Sequence, residues 1–281
     1  MNRRSFLHTA AGLAPAALAA PAFSQTIPRK GRLKQAATRG CFGRGKTMEE
    51  VAATAARLGL KGIDLVGPAD WPLLKKYGLL STMCPGGGGL GDNMNHKENH
   101  AALEPQYRQA IERAAAAGAP NVIALSGNKR GIADEEGMDN TVAFLNKIKA
   151  LAEDKRITVC LELLNSKVNH KDYQCDRTWW GVEVMKRVNS PRVKLLYDIY
   201  HMQIMEGDII RTIRDNIQYI GHFHTAGNPG RHELDATQEL NYKAIAQAIV
   251  DLGFTGYFAH EYGPVGDPLA GLELAISTCD V

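Results

Sequence analysis

Val159-Cys160-Leu161-Glu162 and Leu195-Leu196-Tyr197-Asp198 are two short apolar runs, and each of them ends on a carboxylate. Between them lies a segment with helical periodicity at residues 179–188. An apolar strand, a helix and a second apolar strand make up one βα unit of a parallel sheet. The order of these three elements therefore predicts an α/β fold.

The same alternation continues in both directions along the chain, and no linker or change of composition interrupts it after Leu33. It predicts eight strands, at residues 33–41, 61–66, 79–84, 121–126, 157–163, 193–198, 219–224 and 257–261. It also predicts eight helices, at residues 48–58, 71–77, 100–117, 139–153, 179–188, 208–216, 242–252 and 269–277. A (β/α)8 barrel routinely uses about 250 residues. We therefore expect a single-domain (β/α)8 TIM barrel over residues 25–281.

Composition and charge restrict the class of protein. With 44% hydrophobic and 22% charged residues, the chain has the composition of a globular protein with a sizeable core. Its net charge is +3, which gives no reason to expect binding to nucleic acid. The five cysteines are widely spaced and contain no C-x-x-C pair, so we expect small buried side chains. A disulfide bond stays open at this stage.

The first 24 residues differ from the rest of the chain. They contain two arginines and no acidic residue, followed by an alanine-rich stretch at residues 9–20 and the sequence Ala-Pro-Ala at 20–22. This pattern predicts a secretory signal, and residues 2–7, Asn-Arg-Arg-Ser-Phe-Leu, resemble a twin-arginine (Tat) signal. The apolar stretch is too short to span a bilayer, which needs about 20 residues. We expect a periplasmic protein without a stable membrane anchor.

Four consecutive predicted strands end on ionisable side chains, namely Glu162, Asp198, His224 and Glu261. Barrel enzymes carry their chemistry at the C-terminal strand ends, and neighbouring strands lie only about 4.8 Å apart. One such residue alone would favour a strand-end cap or a salt-bridge partner, but four in register favour a metal site. Three carboxylates and one imidazole suit Mn2+ or Mg2+, and Co2+ or Zn2+ can bind the same set.

Other polar residues lie close to these strand ends. His201 follows the sixth strand and Arg231 lies in the loop after the seventh, where either can donate to substrate oxygens or serve as a packed polar residue. We expect His222 to face the opposite side of the sheet from His224, and His260 to be excluded from the site in the same way.

Two further features are placed outside the predicted site. The glycines at residues 86–89 lack the Walker and Rossmann patterns, so we interpret them as a flexible active-site loop rather than a phosphate cradle. The remaining loop and helix-end histidines have no partner that the sequence identifies, and they are His96, His100, His170 and His232.

Five stretches together resemble the hydroxypyruvate isomerase branch of the xylose isomerase-like barrel superfamily, which also contains the D-tagatose 3-epimerases. They are residues 161–166 (Leu-Glu-Leu-Leu-Asn-Ser), 197–203 (Tyr-Asp-Ile-Tyr-His-Met-Gln), 221–225 (Gly-His-Phe-His-Thr), 229–233 (Pro-Gly-Arg-His-Glu) and 260–261 (His-Glu). The resemblance extends from Leu33 to the end and is strongest over residues 157–261.

This resemblance implies one divalent cation at the four strand-end residues, with His201 and Arg231 holding the substrate. It also implies a homodimer or homotetramer. Hydroxypyruvate isomerases tend to have glutamine at the position of His224, where the epimerases have histidine, whereas the loop at residues 229–233 is of the isomerase kind. The resemblance is therefore firmer for the superfamily than for the substrate.

The residues suggest a reaction as well as a site. We hypothesise that the ion chelates a carbonyl oxygen and the adjacent hydroxyl of a sugar-like substrate and stabilises an enediolate, with Glu162 and Glu261 as the acid/base pair. This describes an isomerase. An epimerase, a dehydratase and a periplasmic sugar-binding protein are the alternatives. An endonuclease IV-type DNA repair enzyme is disfavoured, because it requires more histidines at strand ends and a basic surface.

Overall fold

The structure, a computed structural model, describes residues 29–281 and contains an eight-stranded sheet in which all paired strands are parallel. The strands are β1 (Lys34–Thr38), β2 (Gly62–Asp64), β3 (Leu80–Ser81), β4 (Asn121–Ala124), β5 (Thr158–Glu162), β6 (Val193–Asp198), β7 (Ile220–Thr225) and β8 (Tyr257–His260). Their order in the sheet is β3-β2-β1-β8-β7-β6-β5-β4. The predicted signal at residues 1–24 lies outside the described residues.

The two ends of the sheet meet between β3 and β4. A parallel bridge joins Cys84, three residues after β3, to Val122 in β4. The backbone N–H of Cys84 donates to the Asn121 carbonyl at 2.9 Å, and the N–H of Ile123 donates to the Cys84 carbonyl at 2.9 Å. These bonds close the sheet into a cylinder, so the predicted single-domain (β/α)8 barrel is confirmed.

Helices follow the strands, as the periodicity predicts. They are α1 (Met48–Arg57), α2 (Trp71–Lys76), α3 (His100–Ala117), α4 (Asp134–Lys155), α5 (Thr178–Val188), α6 (Ile199–Met205), α7 (Ile209–Asn216), α8 (Tyr242–Asp251) and α9 (Pro268–Cys279). In the described part of the chain, no helix is long and apolar enough to cross a membrane.

The largest differences from the predicted helices lie in α4 and α6. Helix α4 begins five residues before its predicted start, because Asp134, Glu135 and Glu136 form its first turn, where carboxylates interact favourably with the helix dipole. The sequence prediction had no helix at α6. Its N-cap is Asp198, whose side chain accepts a hydrogen bond from the backbone N–H of His201. A predicted metal ligand thus begins a helix.

Alternate residues of the strands point into the barrel. Cys160 and Leu196 form an interior apolar cluster with Met83, and they lie two residues before Glu162 and Asp198. His222 likewise lies two residues before His224, and both side chains contact the same carboxylate inside the barrel. The prediction that His222 faces away from His224 is therefore wrong, since residues i and i+2 of a strand share a face.

The cysteines behave as buried apolar side chains. All five lie in the described part of the chain and are buried and free of disulfide bonds. Burial raises the pKa of the Cys84 thiol to about 11, which keeps it protonated near neutral pH. The prediction of small buried residues is confirmed.

Close packing explains most of the glycine run after β3. A Cβ atom on Gly86 would lie 2.0 Å from the Ile123 carbonyl oxygen, and one on Gly87 would lie 2.9 Å from the Tyr107 ring. Gly88 has φ +72° and faces the Asn93 side chain. A Cβ on Gly89 would meet nothing within 4 Å. The first three glycines thus allow the segment to pack beside the closure of the barrel.

We expect Gly86→Ala to lower the free energy of unfolding by about 1–3 kcal/mol, since its methyl group overlaps the β4 backbone. Gly89→Ala is the matched control, because its methyl group points into open space, and we expect a change within about 0.5 kcal/mol. Urea unfolding of both variants measures the difference. Equal midpoints for the two variants would show that this packing does not matter for stability.

Candidate active site

The four predicted strand-end residues converge at the C-terminal end of the barrel. Glu162, Asp198, His224 and Glu261 each offer one ligand atom, and these atoms lie within 4.8 Å of one another. Asp198 and His224 are register partners in β6 and β7. The N–H of Glu261 donates to the Thr225 carbonyl of β7 at 2.8 Å, which extends the pairing by one residue beyond β8. The cluster thus follows from the parallel register; its role in metal binding stays a prediction.

His224 lies at the centre of the cluster and is fully buried. Its Nδ1 atom is 2.9 Å from Oε2 of Glu261 and 3.4 Å from Oε1 of Glu162. Burial opposes a charge on this imidazole, but the carboxylates of Glu261, Asp64 and Glu162 outweigh it and raise the pKa of His224 well above its ordinary value. Without a cation, the imidazole is therefore protonated and partly neutralises the cluster.

The three carboxylates differ in how far nearby positive charge compensates their negative charge. Burial raises the pKa of Glu162 to about 7, assisted by the negative charges of Glu261 and Asp198 and opposed by His224. Burial also acts to raise the pKa of Glu261, but His224 and Arg231 outweigh it and hold that pKa at about 2. Burial likewise raises the pKa of Asp198. With all three carboxylates ionised, the cluster would therefore hold more negative charge than His224 and Arg231 neutralise.

The donor set fits a divalent cation. Within residues 29–281, two polar atoms of the cluster are buried and make no hydrogen bond, namely Oδ2 of Asp198 and Nδ1 of His224. Nδ1 of His224 lies 2.9 Å from Oε2 of Glu261, but the two atoms do not have the geometry of a hydrogen bond. Oδ1 of Asp198 accepts from the N–H of His201 at 3.0 Å, so capping α6 leaves Oδ2 free. Buried polar atoms without a partner are rare, and a cation surrounded by three carboxylates and an imidazole would satisfy both of these.

His201 lies beside the cluster and presents an N–H group to it. Its Nδ1 atom accepts from the backbone N–H of Asn165 at 3.2 Å and is 2.5 Å from the Asn165 side-chain nitrogen. This places the proton on Nε2, which is 3.7 Å from Oδ2 of Asp198 and has no hydrogen-bond partner in the described residues. Burial lowers the pKa of His201 well below its ordinary value, so the ring is neutral.

Arg231 lies on the open side of the cluster. One Nη atom is 2.9 Å from Oε2 of Glu261 and 3.9 Å from Oδ2 of Asp198, and the guanidinium lies over the Tyr200 ring at 5.6 Å. The side chains of Arg231 and Glu261 are 26% and 22% exposed, whereas that of Glu162 is 8% exposed. A ligand would therefore enter beside Arg231 and Glu261.

The sequence prediction missed two residues of this region. Asp64 ends β2, and its Oδ2 atom lies 2.7 Å from Nε2 of His222 and 3.1 Å from Nε2 of His224. His170, in the loop after β5, has its ring 5.2 Å from that of His201 and a buried Nε2 without a partner among the described residues. The strand-end pattern did not single out Asp64, because the predicted strand at residues 61–66 placed it inside the strand, whereas β2 ends at Asp64.

His260 does not join the cluster. Its Nε2 and Nδ1 atoms lie 3.0 Å from the Gln35 side-chain oxygen and 2.8 Å from the Thr225 hydroxyl. Both ring nitrogens are thus used within the barrel wall, so His260 lies outside the site, as the sequence predicts.

Comparisons with known proteins match this barrel to two groups of named isomerases. A Homo sapiens protein named "Putative hydroxypyruvate isomerase" is 30% identical over 179 residues, which are 62% of this chain and 64% of that protein. A Haemophilus influenzae protein named 2-oxo-tetronate isomerase is 27% identical over 237 residues, 78% of this chain and 89% of that protein. The first four curated relatives are matched over only 45–64% of their own length.

A solved structure and a family model agree with the fold. The structure of a Brucella melitensis protein described as an AP endonuclease of family 2 superimposes with a TM-score of 0.76 at 26% identity, covering 85% of this chain and 96% of that one. The model of the xylose isomerase-like TIM barrel family matches residues 52–277. That match extends from within α1 to within α9 and covers well over half of the chain, so the chain belongs to the xylose isomerase-like TIM barrel family.

Proposed function

We propose that this protein is a metal-dependent isomerase that acts on sugar-like α-hydroxycarbonyl compounds. The proposal rests on the convergence of four potential ligands, namely Glu162, Asp198, His224 and Glu261. Two of their buried atoms, Oδ2 of Asp198 and Nδ1 of His224, make no hydrogen bond among the described residues. The names of the human and Haemophilus relatives support an isomerase. Their names differ in substrate, so the proposal commits to a class of compound.

These four side chains would hold the divalent cation, with Mn2+ or Mg2+ preferred by the oxygen-rich set and Co2+ or Zn2+ also accommodated. A bound cation would supply positive charge that stabilises negative charge developing on substrate oxygens. The chain itself supplies the remaining functions.

Glu162 and Glu261 come from the ends of β5 and β8, and both approach Nδ1 of His224, which suits them to move a proton within one site. One glutamate, as the carboxylate, takes the proton from the hydroxyl-bearing carbon beside the carbonyl, and the other, as the carboxylic acid, gives a proton to the former carbonyl carbon. The hydroxyl proton passes to the former carbonyl oxygen, which completes the isomerisation. The N–H of His201 and the guanidinium of Arg231 donate to substrate oxygens and fix their orientation. His170 faces the same space and is placed to make a further contact.

An epimerase is the second candidate, and His224 favours it, because the imidazole is the residue typical of the epimerase relatives. The two reactions share the first proton removal and differ in the carbon to which the proton returns. The same four ligands and the same two glutamates would serve either reaction.

Metal binding should stabilise the native protein. At a concentration of Mn2+ 100 times its Kd, a site present only in the native state adds about 2.7 kcal/mol, which corresponds to a rise in Tm of roughly 5–10 °C. We expect EDTA to reverse this rise. Asp198→Asn is the informative variant, because asparagine still caps α6 but lacks the charge, and it should lose most of the response. An unchanged Tm in the parent, with no binding by calorimetry, would contradict the metal site.

Proton transfer is tested by exchange with D2O. In metal-loaded protein, NMR of hydroxypyruvate and a panel of ketoses should show exchange of the proton beside the carbonyl. Glu162→Gln and Glu261→Gln should each slow it at least about 100-fold. Glu112→Gln, on the exposed side of α3, is the control and should exchange at the parent rate.

Product mass, measured for reactions run in H2O, and ligand binding separate the alternatives. A product of unchanged mass indicates an isomerase or epimerase, and the position of deuterium in the D2O reaction tells these two apart. A product lighter by one water indicates a dehydratase. Binding of a sugar without any exchange would indicate a binding protein and overturn the catalytic proposal.

We also propose that residues 1–24 direct export to the periplasm, where the protein would meet sugars, oxidised sugars or sugar acids. The support is the arginine pair and the Ala-Pro-Ala pattern of the sequence. In a bacterial host with a Tat system, the full chain should fractionate with the periplasm. Replacing Arg3 and Arg4 by lysine should retain it in the cytoplasm; a parent chain that stays cytoplasmic would refute export.

A further inference from the structure

A second buried cluster lies directly below the proposed metal site, inside the barrel. It consists of Asp64 from β2 and of His222 and His224 from β7. All three side chains have 0% exposure. Because His224 belongs to both clusters, the lower one is in direct contact with the proposed metal ligands.

The hydrogen bonds of this cluster are directional. Oδ2 of Asp64 lies 2.7 Å from Nε2 of His222 and 3.1 Å from Nε2 of His224, and the Thr82 hydroxyl donates to Oδ1. An ionised carboxylate only accepts hydrogen bonds, so both Nε2 atoms must carry the protons. The side-chain nitrogen of Asn121 lies 3.5 Å from Nδ1 of His222, consistent with donation to that atom.

The charge of Asp64 is maintained inside the barrel. Burial opposes its ionisation, but His222 and His224 outweigh burial and hold the pKa of Asp64 below its usual range. Three donors surround the carboxylate, namely the Thr82 hydroxyl and the Nε2 atoms of His222 and His224, and this is the arrangement that an ionised carboxylate accepts from.

For His224, a proton on Nε2 has a consequence at the opposite side of the ring. In the neutral imidazole, the other nitrogen, Nδ1, then carries the lone pair. Nδ1 is the atom that lies 2.9 Å from Oε2 of Glu261 and 3.4 Å from Oε1 of Glu162. The hydrogen bond to Asp64 therefore selects both the tautomer and the ring orientation that a metal at the upper cluster requires.

We propose that Asp64 is a positioning residue, which presents Nδ1 of His224 to the metal, with His222 and Thr82 fixing the Asp64 carboxylate in turn. This inference rests on the proposed metal site and assigns a role to the residues that lie below that site in the barrel. Partners of metal-bound histidines typically contribute 10–100-fold in metal affinity.

The test is a double-substitution cycle read out by Mn2+ affinity in calorimetry. Asp64→Asn should weaken binding by about 10–100-fold in the parent. In a His224→Gln background, where an amide oxygen replaces the imidazole, the same change should weaken it by less than about threefold, because there is no tautomer to select. Asp251→Asn, an exposed site on α8, controls for loss of one negative charge and should leave affinity unchanged.

A second measurement is independent of any variant. In Mg2+-loaded parent protein labelled with 15N-histidine, NMR should show His224 with its proton on Nε2 and none on Nδ1.

If Asp64→Asn does not fold, Thr82→Val removes only the bond to Oδ1 and should still weaken Mn2+ binding measurably.

The outcomes separate this inference from the proposed function. A parent that binds no Mn2+ overturns both. A parent that binds normally, with equal affinity in Asp64→Asn or an equal loss in both backgrounds, overturns only the positioning role. A His224 proton on Nδ1 in the loaded protein also overturns it, as does binding of two ions per chain with the second lost in His222→Gln, which would make the lower cluster a metal site itself.

Discussion

The surplus of buried negative charge at the C-terminal end of the barrel is the constraint on which the rest of the site depends. Three carboxylates approach one imidazole, and Arg231 contacts the cluster from the open side. Such a group is unfavourable in a low-dielectric interior unless a positive charge compensates it. Parallel register imposes the approach, because it brings consecutive strand ends to one rim.

Apolar and polar side chains lie side by side in the barrel interior below this rim. Met83, Cys160 and Leu196 form an apolar cluster, and Asp64 and His222 form a polar pair; Leu196 and His222 are register partners in β6 and β7. The two-residue repeat of the strands generates this order, since each rim residue has a neighbour two positions earlier on the same face. The packed side chains of the barrel interior thus help to fix the positions of the charged residues at the strand ends.

Much of this arrangement could be predicted from the sequence, because it depends on local patterns. Apolar runs and helical periodicity gave the eight units, and polar residues after four strands predicted the cluster. Asp64 was not found, since its partner His222 is 158 residues away along the chain and β2 has only three residues. The error at His222 had a different origin, a misapplied strand period. Helix α6 was missed because its cap, Asp198, was considered only as a ligand.

The uneven exposure of the site also separates its two chemical tasks in space. Glu162, Asp198 and His224 are buried at the strand ends, whereas Arg231 belongs to a surface loop whose ends are joined by the bridge between Gly227 and His232. Changes in that loop would alter the shape presented to incoming compounds without moving the strand ends. In such a barrel, the range of accepted substrates can diverge between relatives while the chemistry of the rim is inherited unchanged.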